Sequence, residues 1–266
     1  MSEVVAREKV TLRIFISYSR KDEDFAQDLL AGLEAAGFEP YLDTQNIAAG
    51  EDWEARLSGL IEAADTVVFI LSPDAVVSQR CAWEVERTSD LQKRLLPVVW
   101  RAVEDDSVPQ RLKQLNYIFF NRPHSFGVPL RVLANALRTD ISWVREHTRI
   151  GESALRWYAK GRVDALLQRG EELAAAKGWL NAQPKYAPEP TLFHLEFIKA
   201  GEDAELARAT SERQRLSQIA AAQDDREKAI EREKVALERA DAALQQAEMA
   251  LRKKQRGQVV IRTLLS

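Results

Sequence analysis

Short apolar runs alternating with helical stretches fill the first 140 residues, and no other feature of the chain constrains its fold as strongly. Thr11–Ser17 (TLRIFIS) and Phe38–Leu42 read as two strands. Asp65–Leu71 (DTVVFIL), Leu95–Trp100 and Tyr117–Phe120 supply three more. Between them, Asp24–Ala36 sets Phe25, Leu29, Leu30 and Leu33 on one helical face. Gly37 follows where a helix end favours a left-handed residue. Trp53–Ala64 is a second helix with Trp53, Leu57, Leu60 and Ile61 inward. Ser78–Lys93 is a third, and Val128–Leu137 closes the series.

Strands that alternate with helices pair in parallel through right-handed crossovers. Runs apolar on both faces suit a sheet covered by helices on both sides. The expected fold is therefore α/β, a flavodoxin-like five-stranded parallel doubly wound sheet of order 2-1-3-4-5. That order puts a switch point between the first and third strands, and ligands bind beyond the carboxyl ends there. Tyr18–Asp22 and Ser72–Asp74 fall at that edge, and the loop Asp43–Asp52 overhangs it.

The strand signal stops after about Thr139. Ser142–Leu180 is helical in pattern, with Trp143, Leu155, Trp157, Leu166, Leu167, Leu173 and Trp179 as core candidates. Gln183–Pro190 (QPKYAPEP) is a proline-rich turn or linker, and Thr191–Ala200 is a short amphipathic segment. Together these predict an all-α hairpin packed on the α/β unit or on a partner. From Glu202 to Arg256 the chain has neither proline nor glycine and reads as one long helix of about 80 Å. Leu216, Gln223, Ile230, Leu237, Leu244 and Leu251 recur at every seventh position. The companion row Ile219, Arg226, Glu233, Ala240 and Ala247 is only partly apolar. Both a solvated helix and a self-associating coiled coil fit that pattern. The boundaries read from these shifts are 10–139, 140–200 (hairpin region), 201–256 (long helix) and 257–266 (tail).

Bulk properties narrow the function. A net charge of −3 gives no general basic field for nucleic acid. The single cysteine, Cys81, excludes an internal disulfide framework and fits a reducing, cytoplasmic setting. No secretion signal and no membrane span are read from the sequence. The basic run Arg252–Arg256 before Gly257–Ser266 makes the tail at most surface-associating. His124, His147 and His194 lie far apart, so no metal-ligand cluster is expected. No glycine-rich phosphate loop of common spacing is present.

The ordered motifs resemble a known family. Phe15-Ile16-Ser17-Tyr18-Ser19 with Asp22 is similar to the first-strand motif of Toll/interleukin-1 receptor (TIR) domains. Gly37-Phe38, Tyr41-Leu42-Asp43, Ile47 and Gly50 resemble their second strand and BB loop. Leu71-Ser72-Pro73, Ser78, Cys81, Trp83-Glu84 and Leu96-Pro97-Val98 resemble the next three elements. The resemblance covers about half the chain and is strongest to bacterial members, some of which cleave NAD⁺ while others are known mainly as interaction modules.

In the NAD⁺-cleaving members a glutamate three residues after the cysteine is required, which maps onto Glu84. Arg80 stands where that pattern has a tryptophan, and Glu86, two residues on, belongs to another face. The resemblance implies NAD⁺ as substrate, with no separate cofactor and no metal. Ser17, Tyr18, Ser19 and Arg20 would line the pocket, and Asp43, Asn46, Ile47, Gly50 and Trp53 would complete it, the BB loop often coming from a neighbouring molecule. It also implies activation by self-assembly through the BB loop and the long helix, in signalling or antiphage-type defence, with other TIR domains as further partners.

Blander readings stand beside these. On composition alone Glu84 is a solvated helix residue, Tyr18 and Trp53 cap the core edge, Asp43 is a turn residue, and Arg20–Glu23 is a polar helix entrance. The alternative function is a non-enzymatic adaptor that binds other TIR domains and has no need of Glu84. A response regulator would want an aspartate ending the third strand, where Ser72 stands. A nucleoside deoxyribosyltransferase shares the sheet and a glutamate but lacks the BB-loop signature. The helical stretch from Trp143 to Leu180 also resembles a segment of large bacterial signalling proteins, where it joins an effector to a membrane helix and WD-type repeats. On that resemblance the chain is an effector and stalk without its sensor.

Overall fold

The computed structural model describes residues 11–43, 52–122 and 125–264, the last eleven of these as backbone only. Five parallel strands run β1 (Arg13–Ser17), β2 (Glu39–Leu42), β3 (Thr66–Leu71), β4 (Arg94–Val99) and β5 (Ile118–Phe119). Their order in the sheet is β2-β1-β3-β4-β5, the doubly wound order the strand pattern predicts. The register sets Ser17 beside Phe69 and Ile16 beside Leu42.

Alternation along each strand explains why the runs are apolar throughout. Ile14, Ile16, Val68 and Ile70 face α1 (Glu23–Ala35) and α6 (Gly127–Arg138), packing with Leu29, Leu33, Leu133 and Leu137. Phe15 and Val67 face the other way, onto Leu57 and Ile61 of α2 (Trp53–Ala63). Phe69 and Leu71 pack with Cys81 and Val85 of α4 (Gln79–Asp90). All six residues of β3 are buried, each apolar one worth about 1.5–3 kcal/mol over exposure.

Local chemistry fixes the joins. At the end of α1, Gly37 takes φ +87°. Its N–H donates to Glu34 O at 2.9 Å, and that of Phe38 to Leu33 O at 3.1 Å, satisfying two orphan carbonyls. Ser72 and Ser78 cap α3 (Pro73–Val76) and α4 by accepting from Ala75 N at 3.1 Å and Cys81 N at 3.3 Å. The one-turn α3 is not apparent in the sequence pattern, where Ser72-Pro73 reads only as the end of a strand. A second short helix, α5 (Gln110–Lys113), precedes β5.

Two further helices, α7 (Ile141–Ala159) and α8 (Gly170–Asn181), share the core of the α/β unit. Trp143 and Trp179 stack at 4.4 Å. The Trp143 indole donates to Pro188 O at 2.9 Å, pinning the proline-rich turn. The first unit extends to Ala204, and the second is Glu205–Ser266.

One helix, α9, runs Leu192–Leu264. The segment expected as a separate short element at Thr191–Ala200 is therefore its first turns, and the helix passes the expected start of the tail at Gly257. Glycine costs about 1 kcal/mol inside a helix. At Gly201 there is a reason for it: a Cβ would lie 3.0 Å from Leu173 Cδ1 and 3.3 Å from Gln168 O. Within the second unit Leu216, Ile230, Leu237, Leu244 and Leu251 are all exposed. Among the described residues, no helix is long and apolar enough to cross a membrane, and no group of acidic, histidine or cysteine side chains is placed to hold a metal.

Candidate functional site

At the carboxyl edge of β1 and β3, where the sheet order puts its switch point, a cleft of about 320 Å³ opens. Ser17, the last residue of β1, is buried, and its hydroxyl donates to Glu84 Oε2. Glu84 projects from the second turn of α4 and is only 3% exposed, yet its side chain lines the cleft. Glu86, two positions on, is exposed. Burial pushes the Glu84 carboxyl above the ordinary carboxylate range, while the Ser17 hydrogen bond and Arg80 act in the opposite direction.

Arg80 is one turn before Glu84, with Nε donating to Oε1 at 3.4 Å. The same guanidinium also donates to Asp43. Arg56 of α2 holds both Asp43 oxygens, at 3.0 and 2.9 Å. A charge-alternating chain, Arg56–Asp43–Arg80–Glu84, thus ends on Ser17. It joins the end of β2 to two helices.

A second cluster adjoins it. Asp22 is 3% exposed, accepts from the Ser72 hydroxyl and pairs with Arg101. Arg101 also reaches Asp74 at 2.6 Å, and Lys21 reaches the same carboxylate at 2.8 Å. These two cations hold the Asp74 carboxyl below its ordinary range. Asp22 is therefore a buried anchor, where the sequence allowed it to be an ordinary residue of a polar helix entrance.

Of the residues the sequence singles out, the fold brings Tyr18, Ser19, Arg20, Asp43 and Glu84 to the lining of this cleft, and Ser17 joins them through its bond to Glu84. Burial and the Glu23 carboxylate push the Tyr18 phenol above its usual range. Trp53 goes elsewhere: half-buried at the start of α2, it meets Trp83 edge-on at 5.4 Å in the core beneath. Asn46, Ile47 and Gly50 lie outside the described residues, as does His124. Cys81 is buried, with its thiol pushed up to about 12 by burial and by Glu84, so it is unsuited to be a nucleophile.

The sequence points to neither Arg56 nor Arg101 as a site residue, and places Ser72 only at the edge where a ligand would sit. Arg80 was marked only as a departure from a pattern, although its spacing of four from Glu84 was a usable signal. Chemically the cleft offers one buried carboxylate, steadied by a hydroxyl, under a rim carrying Arg20 and Lys21. Such a site can stabilise a developing positive charge beside the carboxylate while its rim attracts anionic groups.

The TIR domain family matches residues 14–130 of the chain. No curated protein matches the sequence. Among solved structures, the TIR domain of the Toll-related receptor TRR-2 from Hydra magnipapillata is 21% identical at a TM-score of 0.41, over 47% of this chain and 97% of that one. A TIR-STING receptor from C. gigas is 24% identical at a TM-score of 0.35, over 43% of this chain and 37% of the receptor. The CMP N-glycosidase BcmB from Clostridium botulinum is 14% identical at a TM-score of 0.33, over 47% of this chain and 97% of that one.

Proposed function

For a chain whose residues 14–130 are a TIR domain, we propose that this domain is an NAD⁺ glycohydrolase that works when assembled. The observation that carries the proposal is the buried Glu84 carboxylate, hydrogen-bonded by Ser17, lining a cleft of about 320 Å³ at the switch point. That volume lies within the range of about 300–1,000 Å³ usual for small-molecule sites.

One carboxylate suffices for this reaction. The bond between ribose C1′ and the pyridinium nitrogen breaks, and its electron pair leaves with nicotinamide, which departs neutral without needing a proton. The positive charge passes to the ribose as an oxocarbenium ion. Glu84 stabilises that charge and hydrogen-bonds the ribose hydroxyls. Water adds to C1′, a proton is released, and ADP-ribose results. Ordinary glycosidases need a second carboxyl group as acid because their leaving group is an alcohol. Arg20 and Lys21 at the rim suit the pyrophosphate.

Assembly enters through Asp43, from which the BB loop departs, and through the exposed row that recurs at every seventh position on α9. Self-association along that row raises the local concentration of TIR domains. The test is NAD⁺ consumption by the full chain at high concentration, with and without a crowding agent, beside Glu84→Ala. Nicotinamide release that is lost in the variant supports the enzyme. Intact NAD⁺ in a demonstrably assembled sample removes it. A second reading, TIR–TIR binding without chemistry, draws on Arg80, which occupies the carboxylate that catalysis would need; under it Glu84→Ala leaves partner binding unchanged.

A further inference from the structure

The Arg80 guanidinium faces two carboxylates at once, that of Glu84 at 3.4 Å and that of Asp43 in closer contact. Arg56 braces Asp43 from the far side, so this seat is fixed by α2 and the end of β2. Because Arg56 holds both Asp43 oxygens while the Arg80–Glu84 bond is long at 3.4 Å, Asp43 is the firm seat of Arg80 and Glu84 the loose one. Along Arg56–Asp43–Arg80–Glu84, cations and anions alternate. The titratable groups facing Glu84 are Arg80 on its own helix, the neighbouring Cys81 and Tyr18 after β1.

We propose that Arg80 is a displaceable counterion. It neutralises Glu84 while the cleft is empty and swings wholly onto Asp43 when a cationic ribosyl-pyridinium takes its place. The inference rests on reading Glu84 as the reactive carboxylate and deepens it by naming how the site is held off and what opens it. Two cations cannot share one buried carboxylate edge without repulsion. The swing leaves no charge unpaired, because the incoming ring compensates Glu84 and Asp43 retains Arg80. It is a torsional movement of one side chain whose exposed part already borders the cleft. Arg80 is thus a positioning residue, and Asp43 transmits to it whatever moves the end of β2.

The test titrates the Glu84 carboxyl by ¹³C NMR in the full chain, assigned by its absence in Glu84→Gln, for wild type, Arg80→Gln, Arg80→Lys and Asp43→Asn. Binding of nicotinamide riboside, a cation without phosphate, is measured alongside binding of ADP-ribose. Loss of the counterion in Arg80→Gln moves the Glu84 titration up by about one unit, whereas Arg80→Lys stays near wild type. Asp43→Asn removes the firm seat, drives Arg80 onto Glu84 and moves the titration down, which keeps the test alive if Arg80→Gln does not fold. Above the Glu84 titration, nicotinamide riboside binds Arg80→Gln about five- to tenfold tighter.

An unmoved Glu84 titration in Arg80→Gln overturns the counterion. Weakened ADP-ribose binding with unchanged nicotinamide riboside binding overturns it too, and makes Arg80 a phosphate ligand. The titration and binding shifts without NAD⁺ cleavage in any variant overturn the glycohydrolase reading and uphold the counterion.

Discussion

Two buried polar clusters flank α4, and they differ in kind. Beside its first turns lies the Glu84 network, built from charged side chains and bordering a cleft of about 320 Å³. Past its last turn, where the chain enters β4, lies a seam of Lys93, His147 and His194 around a void of about 20 Å³, with Thr148 bonded to Lys93. Lys93 donates to Glu62 O at 2.9 Å and to Thr148 Oγ1 at 3.0 Å. His194 Nδ1 accepts from Thr191 N at 3.1 Å, so its Nε2 carries the proton and donates to His147 O at 2.7 Å. His147 Nε2 donates in turn to Glu189 O at 2.9 Å.

Both clusters have displaced pKa values. Burial lowers Lys93 to about 8, His147 to about 3 and His194 to about 4. The seam nevertheless has little room for a ligand, and its polar groups are satisfied mainly by backbone carbonyls and hydroxyls. Displaced titration alone thus fails to mark a working site. What separates the clusters is open volume and charges compensated by other charged side chains.

The largest expected effect falls on the cleft. Glu84→Ala lowers NAD⁺ cleavage by at least about 100-fold, read as nicotinamide release; retained turnover would place the reactive group elsewhere. The next effect belongs to the seam. The folded histidine values lie below the unfolded value of 6.5, so the stability they contribute is complete above pH 6.5 and falls away toward pH 3–4. His147 alone then accounts for about 3 kcal/mol lost between pH 6.5 and 4. Urea midpoints against pH will show a slope that His147→Gln with His194→Gln flattens. An unchanged slope would mean the rings titrate alike in the folded and unfolded chain.

Smaller still is Gly151→Ala, whose Cβ would meet His194 Nε2 at 3.1 Å and Cε1 at 3.2 Å. The expected loss is about 1–3 kcal/mol in the urea midpoint, with NAD⁺ cleavage per folded molecule unaltered. A loss of turnover at full stability would tie the seam to the cleft. The smallest folding effect is expected on α9. Exposed Leu237 and Leu244, changed to proline, leave the first unit within about 0.5 kcal/mol of wild type but lower activity at fixed concentration. Equal activity would exclude the long helix from assembly.

The sheet and its order were legible because each strand carries its own signal. Phe15 and Ile16 must face opposite layers, and both are apolar. Glu84 stood out only through the family resemblance, which places a glutamate three residues after the cysteine; on composition alone it read as a solvated helix residue. The Arg56–Asp43 pair was not legible, since it depends on how far β2 and α2 approach, and nothing local in the sequence encodes that distance. Nor was the ring-to-ring meeting of His147 and His194 at 4.4 Å, which depends on the turn at Pro188 returning the chain onto α7. Thr191–Ala200 read as separate because Gly201 follows it, whereas in the fold that glycine admits Leu173.

The most direct test of this contrast compares Glu84→Gln with His194→Gln, measuring NAD⁺ cleavage per folded molecule and the unfolding midpoint of each. Because burial raises the folded Glu84 value, its ionised form costs stability as pH rises through that value. The predicted result is that Glu84→Gln loses cleavage while its midpoint at neutral pH holds or rises, and His194→Gln loses midpoint while cleavage holds. Cleavage surviving in Glu84→Gln, or disappearing in folded His194→Gln, would contradict the assignment of the working site to the cleft.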